Sequence, residues 1–139
     1  MIALPDDLRA GLLANGAAHR AAQRADAPEP DLVPLLKLFN PLGAATWLTT
    51  ELGEDGDTLF GLADLGFGCP ELGYFSLSEL GAVRLPYGLS ILRDEGFAST
   101  FPLSVWASWS RSSGSILWAE TLLRRVALGR DGPEIPPGP

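Results

Sequence analysis

Three carboxylates, Asp64, Glu71 and Glu79, are of a residue type that could do chemistry without an imidazole. Two or three such groups converging on one face of a sheet would bind Mg²⁺ or Mn²⁺ and activate water for phosphodiester hydrolysis. Glu51 is a fourth acid in the same stretch. In the hairpin register set out below it points to the opposite face from Asp64 and lies at the opposite end, which argues against that pair. Asp64 shares its face with Phe60 and Leu62. It is either a satisfied edge acid or a buried one with a shifted pKa, and hence a functional candidate.

The chain has one histidine, His19, and one cysteine, Cys69. These two counts exclude an internal disulfide framework and a Cys-based zinc site. They also leave little room for nucleophile systems that need an imidazole in place. His19 lies in an Ala- and Arg-rich, helix-forming stretch and reads as a solvated surface histidine. Cys69, between Gly68 and Pro70, reads as exposed at a turn, with no neighbouring base to lower its pKa. No residue is assigned as catalytic, and no cofactor is expected.

Between Lys37 and Arg84 there are seven acids and no Lys or Arg, while the remaining ten acids are balanced by the ten bases. The formal charge of −7 therefore resides in this block. An acidic balance opposes nucleic-acid binding, which depends on Lys and Arg neutralising phosphates. It suits solubility, or attraction of a basic partner. The expected contact residues are Glu51, Glu54, Asp55 and Asp57, with Trp109. Trp and Arg dominate interface hot spots, and an exposed Trp pair beside Arg111 would mark a protein contact. The bland alternative is that Trp106, Trp109 and Trp118 are core.

Two motif fragments carry little. Gly66-Phe67-Gly68 lacks the third glycine of a dinucleotide loop, and Pro70 interrupts a helix start, so tight-turn glycines are expected. Asp55-Gly56-Asp57 lacks the alternating ligands and closing Glu of a calcium loop, so a solvated hairpin tip is expected.

The elements that must position these residues follow from periodicity and punctuation. A helix begins near Asp6, expected as its cap, with Leu8, Leu12 and Leu13 on one side. Asn15-Gly16 ends or kinks it, and residues 17–25 form an exposed continuation before a linker at 27–31. Leu35 to Phe39 reads as a strand. Residues 44–52 and 58–65 read as a hairpin joined by Gly53-Glu54-Asp55-Gly56-Asp57.

If Leu52 faces Thr58, Leu48 lies opposite Leu62 and Thr50 opposite Phe60. Trp47 is then across from Ala63, beside a Gly61 that leaves room for the indole. Residues 71–75 return as a strand, and Ser76-Leu77-Ser78-Glu79 reads as a capping box. Residues 89–93 are a further strand. Pro102 opens a helix with Leu103, Trp106 and Ala107 on one stripe, and a last helix spans 116–128.

At 139 residues the chain fits one domain. No apolar stretch approaches the roughly 20 residues of a membrane span. The start carries acids where a signal peptide would carry bases, so a cytoplasmic protein is expected. The fold class expected is α+β, a small antiparallel sheet of about four strands with N-terminal and C-terminal helices packed on it. The divisions expected are an N-terminal helical segment and linker at 1–30, the core domain at 31–111, a C-terminal helix at 112–130 and a disordered tail at 131–139.

At KLFNPLGAATWLTTEL, DGDTLFGLADLGFGCPELGYFSLSEL and GLSILRD the chain resembles a family of small bacterial proteins known as a domain of unknown function. The resemblance runs from about Leu12 to about Arg111. Cys69 stands where a large apolar residue is expected, and the segment after Arg111 looks peculiar to this chain. The resemblance implies a compact α+β fold and a setting on plasmids, phages and integrative elements. It carries over no catalytic residues, although some relatives bear a single-stranded DNA endonuclease label.

The leading reading is an acidic accessory protein of a mobile element. It would bind and inhibit a host or defence protein with a basic surface, in the manner of antirestriction or anti-CRISPR proteins, with nucleic-acid mimicry as one route. No direct nucleic-acid or membrane contact is expected. The alternatives are a metal-dependent single-stranded DNA nuclease using Asp64, Glu71 and Glu79, and a structural or self-associating domain.

Overall fold

The structure is a computed structural model and describes residues 1–129. Residue 130 and the tail at 131–139 lie outside the described residues. The element order is α1 (Asp6–Arg24), β1 (Leu36–Phe39), β2 (Thr46–Leu52), β3 (Thr58–Asp64), β4 (Glu71–Ser76), α2 (Leu77–Gly81), β5 (Leu92–Arg93), α3 (Leu103–Ser113) and α4 (Ile116–Ala127). The strands form one antiparallel sheet in the order β4-β3-β2-β1-β5. The fold is α+β as expected, with five strands against the expected four or so; the strand expected at 89–93 is reduced to Leu92–Arg93, a two-residue edge beside β1.

Strand residues alternate between two apolar layers, as a period of two requires. Leu36, Leu38, Trp47, Leu52 and Leu59 pack with Leu12 of α1 and Leu77 of α2 on one side. Leu48 and Leu62 pack with Leu103, Trp106 and Ala107 of α3, and with Ile116, Ala119 and Leu123 of α4, on the other. Both terminal helices therefore complete the core.

The N-terminal helix is continuous through Asn15-Gly16. Asp6 is its first residue, not its cap: Pro5 holds the cap position without a side-chain bond. Gly16 does not break the helix because it is a packing glycine. A Cβ there would stand 2.7 Å from the Leu52 carbonyl oxygen. Asn15 Nδ2 donates to the Thr50 carbonyl at 2.9 Å, fixing the helix across β2.

The β2–β3 register holds as expected at Trp47↔Ala63 and Leu48↔Leu62, then shifts. Glu51 pairs with Phe60 and Leu52 with Leu59, leaving Thr50 as the extra residue of a β-bulge. Glu51 is consequently on the same face as Phe60, Leu62 and Asp64, not opposite to it. Gly61 is needed for a reason other than the Trp47 indole. A Cβ on it would lie 1.8 Å from the Leu48 carbonyl oxygen and 2.9 Å from Thr49 Cα, so backbone occupies that space.

A buried cation ties the C-terminal helix to the sheet. Lys37 of β1 donates to both carboxylate oxygens of Glu120 on α4 at 2.8 and 3.0 Å, with Asp94 at 3.5 Å.

Candidate functional site

Asp64, Glu71 and Glu79 are not brought together. Asp64 is fully buried, and both its oxygens serve the fold: Gly66 N donates to Oδ1 at 2.8 Å and Ile116 N to Oδ2 at 2.9 Å. It thus satisfies the loop after β3 and an orphan amide at the start of α4. Glu71 is exposed on β4 opposite Ala63, and Glu79 is exposed on α2. Among the described residues no group of three or more His, Cys, Asp or Glu side chains is placed to hold a metal ion.

The hairpin acids are largely absorbed by local structure. Asp55 Oδ1 accepts from the amides of Asp57 and Thr58, both at 2.9 Å, and Thr58 Oγ1 donates to Oδ2 at 2.6 Å. The Thr58 hydroxyl first, then these amides, holds the Asp55 carboxyl down at about 2. Asp57 accepts from Ser76 Oγ at 2.6 Å and from Ser78 N at 2.8 Å, and these bonds lower its pKa. Ser76 Oγ in turn accepts from Glu79 N at 3.1 Å, the expected helix cap. Asp57 adds a second cap from outside the helix by taking the Ser78 amide. Glu54 is exposed and pairs with Arg20 at 3.2 Å. Trp109 is partly buried against the α3–α4 layer, whereas Trp118 is exposed.

His19 is not a solvated surface residue. Its side chain is 15% exposed and lies between two carboxylates. Nδ1 stands 2.9 Å from Glu51 Oε2 and 3.1 Å from Oε1. Nε2 lies 3.1 Å from Glu29 Oε1, off the line of its N–H, so that contact is an ion pair by distance without hydrogen-bond geometry. The bond to Glu51 raises the His19 pKa, burial opposes it, and Glu29 adds to the rise. Glu29 itself is lowered, by Gln23 first and then by His19. With a carboxylate facing each ring nitrogen, the surroundings favour the charged form of the ring.

Around it the ring of Phe60 stands edge-on at 6.3 Å, and Tyr74 of β4 packs on Phe60 at 5.0 Å. A hollow of about 260 Å³ opens beside this group, lined by His19, Arg20, Gln23, Glu51, Phe60 and Tyr74. Sequence reasoning passed over His19 and Tyr74. A signal for His19 existed: Leu12, Asn15, Gly16 and His19 form one helical stripe at the spacing of a buried face.

Large apolar side chains of β4 and of the loop before it are exposed. Tyr74 is 70% exposed, Leu72 42%, and Phe67 in the preceding loop 82%. Cys69 is exposed in the same loop, as expected.

No helix among the described residues is long and apolar enough to cross a membrane. No curated protein and no solved structure matches the chain. A family model described as a protein of unknown function, DUF2958, matches residues 3–117, wider at both ends than the stretch that carries the resemblance. With α1 to α3, the whole sheet and the start of α4 inside that match, the chain belongs to this uncharacterised domain family.

Proposed function

We propose that the protein is a binding protein, not an enzyme, and that it docks on a basic surface of a partner protein. The carrying observation is the block from β2 through α2, which holds seven acids and no base. Within it the groups that could have done chemistry are committed to the fold: Asp64 to two amides, Glu51 to His19. What remains outward is negative charge and apolar surface, the combination that steers and then holds a basic partner.

The finer reading rests on the family resemblance. The chain is a cytoplasmic accessory protein of a mobile genetic element that inhibits a host or defence protein by covering its nucleic-acid-binding surface. Glu54, Glu71 and Glu79 are its exposed contact acids. Asp55 and Asp57 contribute charge while shaping the hairpin.

The test uses the full chain as bait in host lysate, identifies what is captured by mass spectrometry, and titrates the purified partner. Affinity is expected to fall at least about tenfold between low and physiological salt, and again in a Glu54→Lys, Glu71→Lys, Glu79→Lys variant. The chain should also inhibit the partner's nucleic-acid binding. Affinity indifferent to salt and to charge reversal overturns the electrostatic reading. Mn²⁺-dependent cleavage of single-stranded DNA by the purified chain overturns it in favour of a nuclease.

A further inference from the structure

We propose that the open edge of β4 receives an extended, basic segment of a partner protein as a sixth strand of the sheet. This deepens the binding reading and rests on it for the existence of a protein partner.

The backbone geometry comes first. Leu77 N donates to the Asp57 carbonyl at 2.9 Å, continuing the β3–β4 ladder, whose register runs unbroken from Thr58↔Ser76 to Ala63↔Glu71. In an antiparallel pair the residues that exchange bonds alternate. Phe75 and Gly73 therefore turn their amides and carbonyls toward β3, while Leu72 and Tyr74 turn theirs outward. The sheet order places β4 at the edge, and no other strand among the described residues pairs with it.

Natural edges are blunted by Lys, Pro, bulges or brevity. The opposite edge fits that pattern, since β5 is two residues long and includes Arg93. The β4 edge has none of these protections: it is six residues long, unbulged, and contains no Lys, Arg or Pro. Its side chains are of the kind that grip a neighbouring strand. Leu72 and Tyr74 lie exposed on the Phe60 face, and Gly73 lies between them. A Cβ on Gly73 would meet nothing within 4 Å, so the chain's own packing does not require glycine there. Close approach by a ligand or another backbone is one of the uses of a glycine inside a strand.

Charge selects the occupant. Glu71 opens the strand, Glu79 follows it on α2, and no Lys or Arg occurs from residue 38 to 83. An added strand bearing Lys or Arg on alternate positions meets Glu71 and Glu79 and no base on β3, β4 or α2; Arg20, near Tyr74, is paired with Glu54. An acidic strand, including β4 of a second copy, brings further negative charge to the same edge.

The experiment uses two probes, a capped heptapeptide alternating Lys and Val and its Glu-Val counterpart, added to the ¹⁵N-labelled full chain. In the free protein the Leu72 and Tyr74 amides should exchange with solvent rapidly and those of Gly73 and Phe75 slowly. The Lys-Val peptide should slow Leu72 and Tyr74 at least about tenfold. Leu72→Pro and Tyr74→Lys should each abolish that protection; the second keeps the test decisive if the first fails to fold.

Peptide binding without protection of these two amides overturns the proposal, as does equal protection by the Glu-Val peptide. Protection in the protein alone, with a dimeric sedimentation coefficient, overturns it in favour of a second copy. A partner captured as well by Tyr74→Lys as by the parent chain refutes the edge site and leaves the binding reading standing. Edge protection by the Lys-Val peptide without any captured partner would fault the binding reading and not the edge.

Discussion

His19 Nδ1 meets Glu51 Oε2 at 2.9 Å, joining the last turns of α1 to the strand residue that follows the Thr50 bulge. Without the bulge, Glu51 would point to the other face and His19 would have no carboxylate there. Glu29 faces the other ring nitrogen.

The raised His19 pKa fixes the sign of a pH effect. A group whose folded pKa lies above its unfolded value contributes stability that is complete below the unfolded value of about 6.5 and is lost as pH rises through the folded value. Urea unfolding of the parent and of His19→Gln should therefore differ most near pH 5.5, by roughly 1–2 kcal/mol, as for a hydrogen bond to a charged group. The difference should shrink as pH rises above 7. A difference that grows with pH would contradict this assignment of the proton.

Gly61 and Gly73 sit opposite each other on adjacent strands and should respond oppositely to a side chain. Gly61→Ala forces a Cβ into the Leu48 carbonyl and should cost at least about 3 kcal/mol, or prevent folding. Gly73→Thr meets open space and should stabilise by up to about 1 kcal/mol through β-propensity. Thermal melts of the two variants give the comparison.

Removing the Asp64 carboxylate leaves the Ile116 and Gly66 amides without their acceptors. Asp64→Ala should destabilise by roughly 2–4 kcal/mol, since orphaned buried donors each cost about 1–3 kcal/mol. The loss should appear in α4 first, as faster exchange of the Ile116 amide. Metal titration should leave the parent's melting temperature unchanged. A Mn²⁺-dependent rise that Asp64→Ala removes would revive the metal reading.

Lys37→Met leaves Glu120 without its cation in a largely buried position. It should cost about 3 kcal/mol, whereas Lys37→Met with Glu120→Leu should recover most of that, because a buried pair replaced by apolar groups is often close to neutral. A double variant as unstable as the single one would show that the pair contributes far more than its desolvation consumes. Chemical denaturation of both decides.

Much of the fold was legible because its signals are local. Alternating strands, the Ser76 cap, the Leu103-Trp106-Ala107 stripe and the turn glycines each depend on a few neighbouring residues. The N-terminal helix was misread at Asn15-Gly16 because glycine lowers helix propensity, while here it allows the helix to press on the Leu52 carbonyl. That contact is made across 36 residues of chain, and locally only the stripe Leu12, Asn15, Gly16, His19 points to it.

The candidate site was less legible than the fold. Sequence by itself determined that the chain has one histidine, a −7 charge gathered in one block, and too few ligands for most catalytic sets. Only the tertiary structure decided what those acids do. A one-residue bulge set Glu51 against His19, the packing of α4 took Asp64 for its first amide, Asp55 was taken up in closing the hairpin loop, and Asp57 in capping α2. The strand order did the same for β4, leaving it at an edge with Leu72 and Tyr74 exposed. The physical reason is that charge and hydropathy are properties of residues. Whether a carboxylate or a strand edge is free depends on which backbone amides the fold leaves in need of a partner.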